Sequence, residues 1–253
     1  MHTKNTLFVG KVLLDFPELD STNEYALELL SKSKPIEGTV ISTFEQTRGR
    51  GQIGSSWESE PHKNLSLSIL LYPTFLPLRE QFALNLAVSL AVRDFVAKHV
   101  EKSVKVKWPN DIYMDNRKIC GILIQNSIGG SSLQSSVVGI GANVNQTVFS
   151  NNAPNATSFA LETGREFDLY ELIEDLCLFA EQRYLGLKNA AHYNSLRQEY
   201  LKYLYRFDEL STFSRADGSV FQGKITGVSL SGKLIVAHAH GEEEFSIKEI
   251  SFV

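Results

Sequence analysis

Lys107-Trp-Pro-Asn-Asp-Ile-Tyr-Met-Asp-Asn-Arg-Lys-Ile-Cys-Gly121 decides how this chain is organised. A short apolar strand, Val104 to Trp108, ends in the stiff pair Trp108-Pro109. A turn at Asp115-Asn116 then sends the chain back as a second strand, Lys118 to Gln125. Asn110 and Asp111 fall at the rim of the first strand. They read either as an Asx-type turn that satisfies its own backbone or as a carboxamide and a carboxylate offered to a ligand. Lys118 opens the returning strand, either as a lysine snorkelling to solvent or as a fixed point charge.

Well upstream, Gln46-Thr-Arg-Gly-Arg-Gly-Gln-Ile-Gly-Ser-Ser-Trp57 sets Arg48 and Arg50 among Gly49, Gly51 and Gly54. Cationic forks therefore lie where the backbone bends sharply and bares its N–H groups, which suits a phosphate. Gly49 to Gly54 also matches G-x-G-x-x-G behind a strand. The chain continues past Gly54 as Ser-Ser-Trp-Glu-Ser-Glu-Pro-His-Lys-Asn, with no apolar helical period, so no helix N-terminus stands ready for a pyrophosphate. A solvated surface turn is the plain alternative. The two arginines, Gln46 and an exposed Trp57 point instead to a clamp ordered by a ligand.

Around these stretches the pattern alternates between helix and strand. Asp20-Ser-Thr-Asn-Glu24 fits a capping box with Ser21 at the N-cap, opening a helix that runs to about Lys34-Pro35. Thr39 to Gln46 and Leu65 to Leu71 read as strands, the second from alternating apolar and polar residues. Leu78 to Val100 has the spacing of a long core helix, and Ser136 to Asn143 that of a third central strand. Gln146 to Ala156, rich in Asn, reads as a mobile loop, and helices are predicted after it over about Asp168 to Tyr184 and Ala190 to Tyr203. From about Phe207, short strands punctuated by Asp217-Gly218, Ser231-Gly232 and Gly241 predict a small β-barrel unit.

The 253 residues, 43% hydrophobic and 21% charged, allow one sizeable core plus a small second unit. A net charge of -4 with a pI near 5.9 disfavours a general nucleic-acid binder. Cys120 and Cys177 sit in apolar runs and read as reduced core thiols. His62, His99, His192, His238 and His240 show no metal-ligand spacing. No signal peptide is visible at the first residues, and no window reaches the run of about 18 apolar residues that a bilayer demands.

Ser21-Thr22-Asn23, Gln46-Thr-x-Gly49-Arg50-Gly51-Gln52 with Gly54 and Trp57, Lys107-Trp-Pro-Asn-Asp111, Arg117-Lys118-x-x-Gly121 and Gly139-x-Gly141-x-Asn143 occur here in one order. As a set they resemble the biotin protein ligases, from about Leu13 to Tyr203 and, less sharply, over the C-terminal β unit. The resemblance implies an α+β fold: a mixed, largely antiparallel sheet flanked by helices, of the class II aminoacyl-tRNA synthetase and biotin synthetase-like kind, with an SH3-like barrel. It divides the chain into a catalytic domain over 1–205 and a barrel over 206–253.

The resemblance also implies an activity. Biotin and ATP, with Mg2+, give biotinyl-5'-AMP and pyrophosphate, and the acyl group passes to a lysine of the biotin carboxyl carrier protein of acetyl-CoA carboxylase or a related carboxylase. Matched position by position, Lys118 and Arg50 are the catalytic pair. Ser21, Thr22, Asn23, Gln46, Arg50, Gly51, Gln52, Lys118 and Gly121 would bind biotin. Gly49, Arg50, Trp57, Asn110, Asp111, Lys118 and Asn143 would bind the nucleotide, with Asp111 on magnesium through the phosphates. A cytoplasmic enzyme without nucleic-acid or membrane partners is expected; a homodimer is left open.

Two departures stand out. Some members carry more basic residues after the second loop glycine, where Gln52, Ile53 and Ser55 stand here, which leaves fewer cations to grip the adenylate. Only about twenty residues precede Ser21, too few for the helix-turn-helix of the repressor members, so DNA binding is not expected. A lipoate ligase or octanoyltransferase is the nearest alternative, although Cys120 should look inward on its strand rather than serve as a nucleophile. A non-enzymatic binding module is the other, and it leaves Arg50 and Lys118 unexplained.

Overall fold

The computed structural model describes residues 3–52, 54–150 and 153–253. Met1, His2, Ile53, Asn151 and Asn152 lie outside the described residues, and with them the readings of the first two positions, of Ile53 in the glycine loop and of the middle of the 146–156 loop. A seven-stranded sheet in the order β1-β2-β3-β7-β6-β5-β4 forms the centre. Its strands are β1 (Leu13–Phe16), β2 (Val40–Thr43), β3 (Leu65–Leu71), β4 (Val104–Lys107), β5 (Asp111–Met114), β6 (Arg117–Gly129) and β7 (Ser132–Ala142). Only β1 and β2 pair in parallel; every other pair is antiparallel.

The alternation in β3 is real, but it does not separate core from water. All seven residues of β3 are buried. Leu65, Leu67, Ile69 and Leu71 face the main core, while Leu70 joins Ala26, Ile41 and Val137 in a smaller cluster on the other face. That second face is covered by helix α1 (Thr22–Lys32), so Ser66 and Ser68 are polar and enclosed at once. Ser21 caps α1 by accepting from Glu24 N–H, as the capping pattern predicts. The Glu24 carboxylate, which a complete capping box folds back onto the helix start, pairs with Arg50 instead.

Helix α2 (Phe82–His99) covers the main core and buries residues all round, from Ala83 to Val96. The apolar spacing predicts a helix from Leu78; the chain instead makes a separate 3-10 turn there, Leu78–Glu80, before α2. Helices α3 (Phe159–Thr163), α4 (Leu169–Gly186) and α5 (Tyr193–Tyr203) complete this unit, with α4 packed along α2 and capped by Asp168. The ends of the 146–156 loop are tied down: Gln146 is buried and accepts from Asn64 at 2.5 Å, and Lys118 N–H donates to Asn155 O at 2.7 Å.

Five further strands, β8 (Leu210–Arg215), β9 (Val220–Val228), β10 (Leu234–His238), β11 (Gly241–Phe245) and β12 (Ile250–Phe252), form an antiparallel sheet in the order β11-β10-β9-β8-β12. Phe213, Ile225, Leu234, Val236 and Phe245 belong to the same contiguous apolar cluster as α2 and the large sheet. The seam between the sheets is specific. Trp108 Nε1 donates to Gly232 O at 2.9 Å, and Gly232 sits at φ +89° against the ring of Phe82, where a Cβ would come within 2.3 Å of the ring. Gly232→Ala is therefore expected to destabilise the fold by about 1–3 kcal/mol, through the left-handed backbone and the crowded ring, read as a lower urea midpoint.

Candidate active site

Between the start of α1, the glycine loop and the polar ends of β3, β6 and β7 lies a cavity of about 160 Å3. Helix α1 contributes Ser21, Thr22 and Asn23, which the capped first turn holds at its mouth. Their polar groups are already organised. Gln46 Oε1 accepts from Thr22 N–H at 3.0 Å, Asn23 Nδ2 donates to Gln125 Oε1 at 3.0 Å, and Ser68 Oγ donates to Asn23 Oδ1 at 2.6 Å. Such a network fixes each donor and acceptor before any ligand arrives.

The floor depends on glycine. Gly139 lies where a Cβ would fall 2.1 Å from Asn23 Oδ1, and Gly141 where one would fall 2.4 Å from the Trp57 ring. Gly121 faces Gly141 across the β6–β7 ladder and touches the same indole. Side chains from α1 and from the loop thus lie directly on the strand backbones, a close approach that bare glycine permits. Trp57 is half-buried rather than exposed, and its Nε1 is enclosed with no hydrogen-bond partner among the described residues. An enclosed donor of that kind awaits an acceptor.

The loop itself is a narrow hairpin. Trp57 N–H donates to Gly49 O at 2.9 Å, Gly51 N–H to Ser55 O at 2.9 Å, and Arg50 bridges to Ser56. After Gly54 the chain runs on to β3 without a helix, which removes the dinucleotide reading. Arg48 leaves the cavity and pairs with Asp20, which also accepts from Thr47 at 2.6 Å; these bonds hold the Asp20 carboxyl below its usual range. Arg50 lines the cavity and pairs with Glu24.

Across from it, Lys118 Nζ lies 2.8 Å from Asp111 Oδ1 and 5.7 Å from the Trp57 ring centre, with 32% of its side chain exposed. Asp111 and Lys118 come from the two strands of the β5–β6 hairpin, and both line the cavity. Asp111 is the sole carboxylate in that lining, and no group of three or more His, Cys, Asp or Glu able to hold a metal occurs among the described residues.

Of the residues given a binding or catalytic role by the resemblance, Ser21, Thr22, Asn23, Gln46, Arg50, Gly51, Gln52, Trp57, Asp111, Lys118 and Gly121 line one cavity. Three do not. Gly49 sits behind the wall, where a Cβ would fall 2.2 Å from Trp57 O. Asn110 is 4% exposed, donating to Ile122 O at 2.6 Å and accepting from Gln52 Nε2 at 2.5 Å. Asn143 is equally buried and donates to Thr157 O at 3.0 Å. Both carboxamides are taken up by the protein. Ser66 lines the cavity, Ser68 bonds Asn23 in its wall and Glu24 pairs with Arg50, although the sequence gives none of the three a site role. The alternating serines and glycines of β3 and β7 are their signal, since a buried strand that keeps small polar residues has something to fit against them.

The profile of the Biotin/lipoate A/B protein ligase family matches residues 16–143, half of the chain. The chain belongs to that family. Among its relatives, the Bifunctional ligase/repressor BirA of Bacillus subtilis is 32% identical over 184 residues, covering 71% of this chain and 55% of that protein. The chain thus spans about half the length of that relative. The Biotin--[acetyl-CoA-carboxylase] ligase of Paracoccus denitrificans is 28% identical over 240 residues, covering 92% of this chain and 97% of that one. Among solved structures, the biotin protein ligase of Aquifex aeolicus in complex with biotin and ATP superposes with a TM-score of 0.79 at 26% identity, covering 96% of this chain and 99% of that one.

Family members that act through a cysteine nucleophile would need one in the cavity. Cys120 and Cys177 are free and buried, and burial pushes both thiols up, Cys177 to about 12. Neither should react with a disulfide reagent at pH 8 in the native protein, and both should titrate after denaturation. A fast-reacting thiol in the native state would contradict this burial.

Proposed function

We propose that the chain is an ATP-dependent biotin protein ligase with a catalytic unit over residues 1–205 and a small β unit over 206–253. The observation that carries this reading is the meeting of Arg50 and Lys118, from a loop and a hairpin distant in sequence, across one cavity walled by Ser21, Thr22 and Asn23. Carboxylate activation has to bring two anions together. A biotin carboxylate oxygen attacks the α-phosphorus of ATP, a P–O bond to pyrophosphate breaks, and biotinyl-5'-AMP remains. Fixed cations that face the forming acyl phosphate lower that barrier, each by about 3–4 kcal/mol.

The residues divide the task. Hydrogen-bonded Thr22, Asn23, Ser68 and Gln46 offer the directional donors and acceptors that a ureido ring and its polar edge require. Lys118, steadied by Asp111, faces the reacting carboxylate, and Arg50 faces the phosphate from the loop. Trp57 walls the nucleotide side. The donor set fits magnesium only in the manner of one carboxylate, Asp111, with the remaining ligands from phosphate and water. Bound there, the ion would add charge neutralisation to the phosphates.

In the second half-reaction the amine of a carrier lysine attacks the acyl carbon, the anhydride C–O bond breaks, AMP leaves and the amine loses a proton. The loop keeps water from the anhydride until the lysine arrives. The carrier is the biotin carboxyl carrier domain of a carboxylase. Two buried, unpaired cysteines suit the reducing cytoplasm. No helix among the described residues is long and apolar enough to cross a membrane.

Exchange of labelled pyrophosphate into ATP, dependent on biotin and unsupported by lipoate, is the expected result. Lys118→Ala should keep the fold, judged by circular dichroism, and lose exchange by about 100-fold or more. Near-normal exchange in that variant, or exchange driven by lipoate alone, would remove this reading. Biotin with ATP should also slow proteolysis between residues 48 and 57, because an anion bound by the loop deepens its docked state.

A further inference from the structure

Arg50 enters the cavity with its charge already engaged. Arg50 lines the wall, yet its Nη2 is paired with the carboxylate of Glu24, a residue outside the lining. Glu24 is the next residue after Asn23, so it rides on the same first helical turn that presents Ser21, Thr22 and Asn23 to the cavity. The pair is open to solvent, with 54% of the arginine side chain and 37% of the glutamate exposed. Pairs of that exposure are weak and yield readily to a stronger anion. Lys118 shows the same arrangement with Asp111, but Asp111 is itself part of the cavity wall and stays beside any ligand.

We propose that Glu24 is a stand-in anion: it holds Arg50 at the cavity wall and gives up the guanidinium to the nucleotide phosphate, which makes it a determinant of nucleotide affinity. The proposal rests on the ligase reading for the identity of that phosphate. Charge alone sets the direction of the effect. With Glu24 present, a phosphate arriving at Arg50 must displace a carboxylate and then sit near its negative charge. Without it, the guanidinium offers all five donors at no such cost.

The test is calorimetric titration of the full chain with ATP in the absence of biotin. Glu24→Gln, which keeps the length of the side chain and removes its charge, should bind ATP up to about fivefold more tightly, the scale of an exposed ion pair. Glu24→Ala should shift in the same direction, and Glu24→Asp should stay near the parent. In an Arg50→Ala background, Glu24→Gln should produce no tightening, since the coupling runs through the guanidinium.

Unchanged or weaker ATP binding by Glu24→Gln would overturn the proposal, because a glutamate that merely orients Arg50 predicts a loss. Tightening that persists without Arg50 would overturn it as well. These outcomes are separable from failure of the ligase reading: a parent that exchanges pyrophosphate with biotin but binds ATP no better as Glu24→Gln removes only this inference, whereas a parent that shows no biotin-dependent exchange removes the ligase reading and with it the identity of the phosphate.

Discussion

Two cations have to coexist in one small cavity, and the rest of the site is arranged around that requirement. Arg50 and Lys118 both line a space of about 160 Å3. Each is matched by a carboxylate, Glu24 on one side and Asp111 on the other. The two ion pairs therefore leave the site's own side chains near neutral. Each cation is held in orientation by its carboxylate partner. A preorganised site of this kind does its reorganisation during folding, not at the moment of reaction.

Housing such a site in the middle of a sheet sets a second requirement. One face of β3 and β7 has to be both polar and buried, against the usual division between core and water. The chain meets it by size. Ser66 and Ser68 on β3, with Gly139 and Gly141 on β7, keep the face shallow enough for α1 and the indole of Trp57 to lie on the backbone itself. The opposite face has no such constraint and is built of Leu65, Leu67 and Ile69 packed against α2. One alternating pattern thus serves a site on one side and the main core on the other.

Legibility in the sequence depends on where each signal lives. Local chemistry is legible: Ser21 as a cap, the hairpin around Asp115, the glycine loop, and the switch to short strands after Phe207 all match the fold. Short elements stabilised by distant partners are not. β1 is four residues held by its parallel neighbour β2, α3 is a single five-residue helix under a serine cap, and β5 is too short to separate from its turn. The site is legible as a set of residue types, but not as a set of directions. Asn110 and Asn143 have the chemistry of ligand-binding carboxamides, and only the fold reveals that backbone carbonyls at Ile122 and Thr157 already use them. Glu24 is hidden in the opposite sense, because its helix-capping position explains it too well.

Why the Lys107-to-Asp111 stretch decides the organisation is visible in what its residues touch. Lys107 turns toward the small sheet, with Nζ 5.1 Å from the Phe252 ring, and burial there lowers its pKa. Trp108 anchors Gly232 in the β9–β10 turn of the same unit, and Pro109 O accepts from Tyr200 on α5 at 3.0 Å. Asn110 holds Gln52 of the glycine loop, and Asp111 holds Lys118. Five consecutive residues therefore join the C-terminal sheet, a core helix, the loop and Lys118. Residues so connected share one backbone, and a shift that accommodates a change at one of them displaces the others. Perturbations along this stretch should consequently be strongly non-additive. The small sheet contributes nothing to the lining of the cavity, yet this stretch ties it to Asp111 in that lining. A change at the Trp108–Gly232 seam is therefore expected to reach Asp111, and through Asp111 the charge on Lys118.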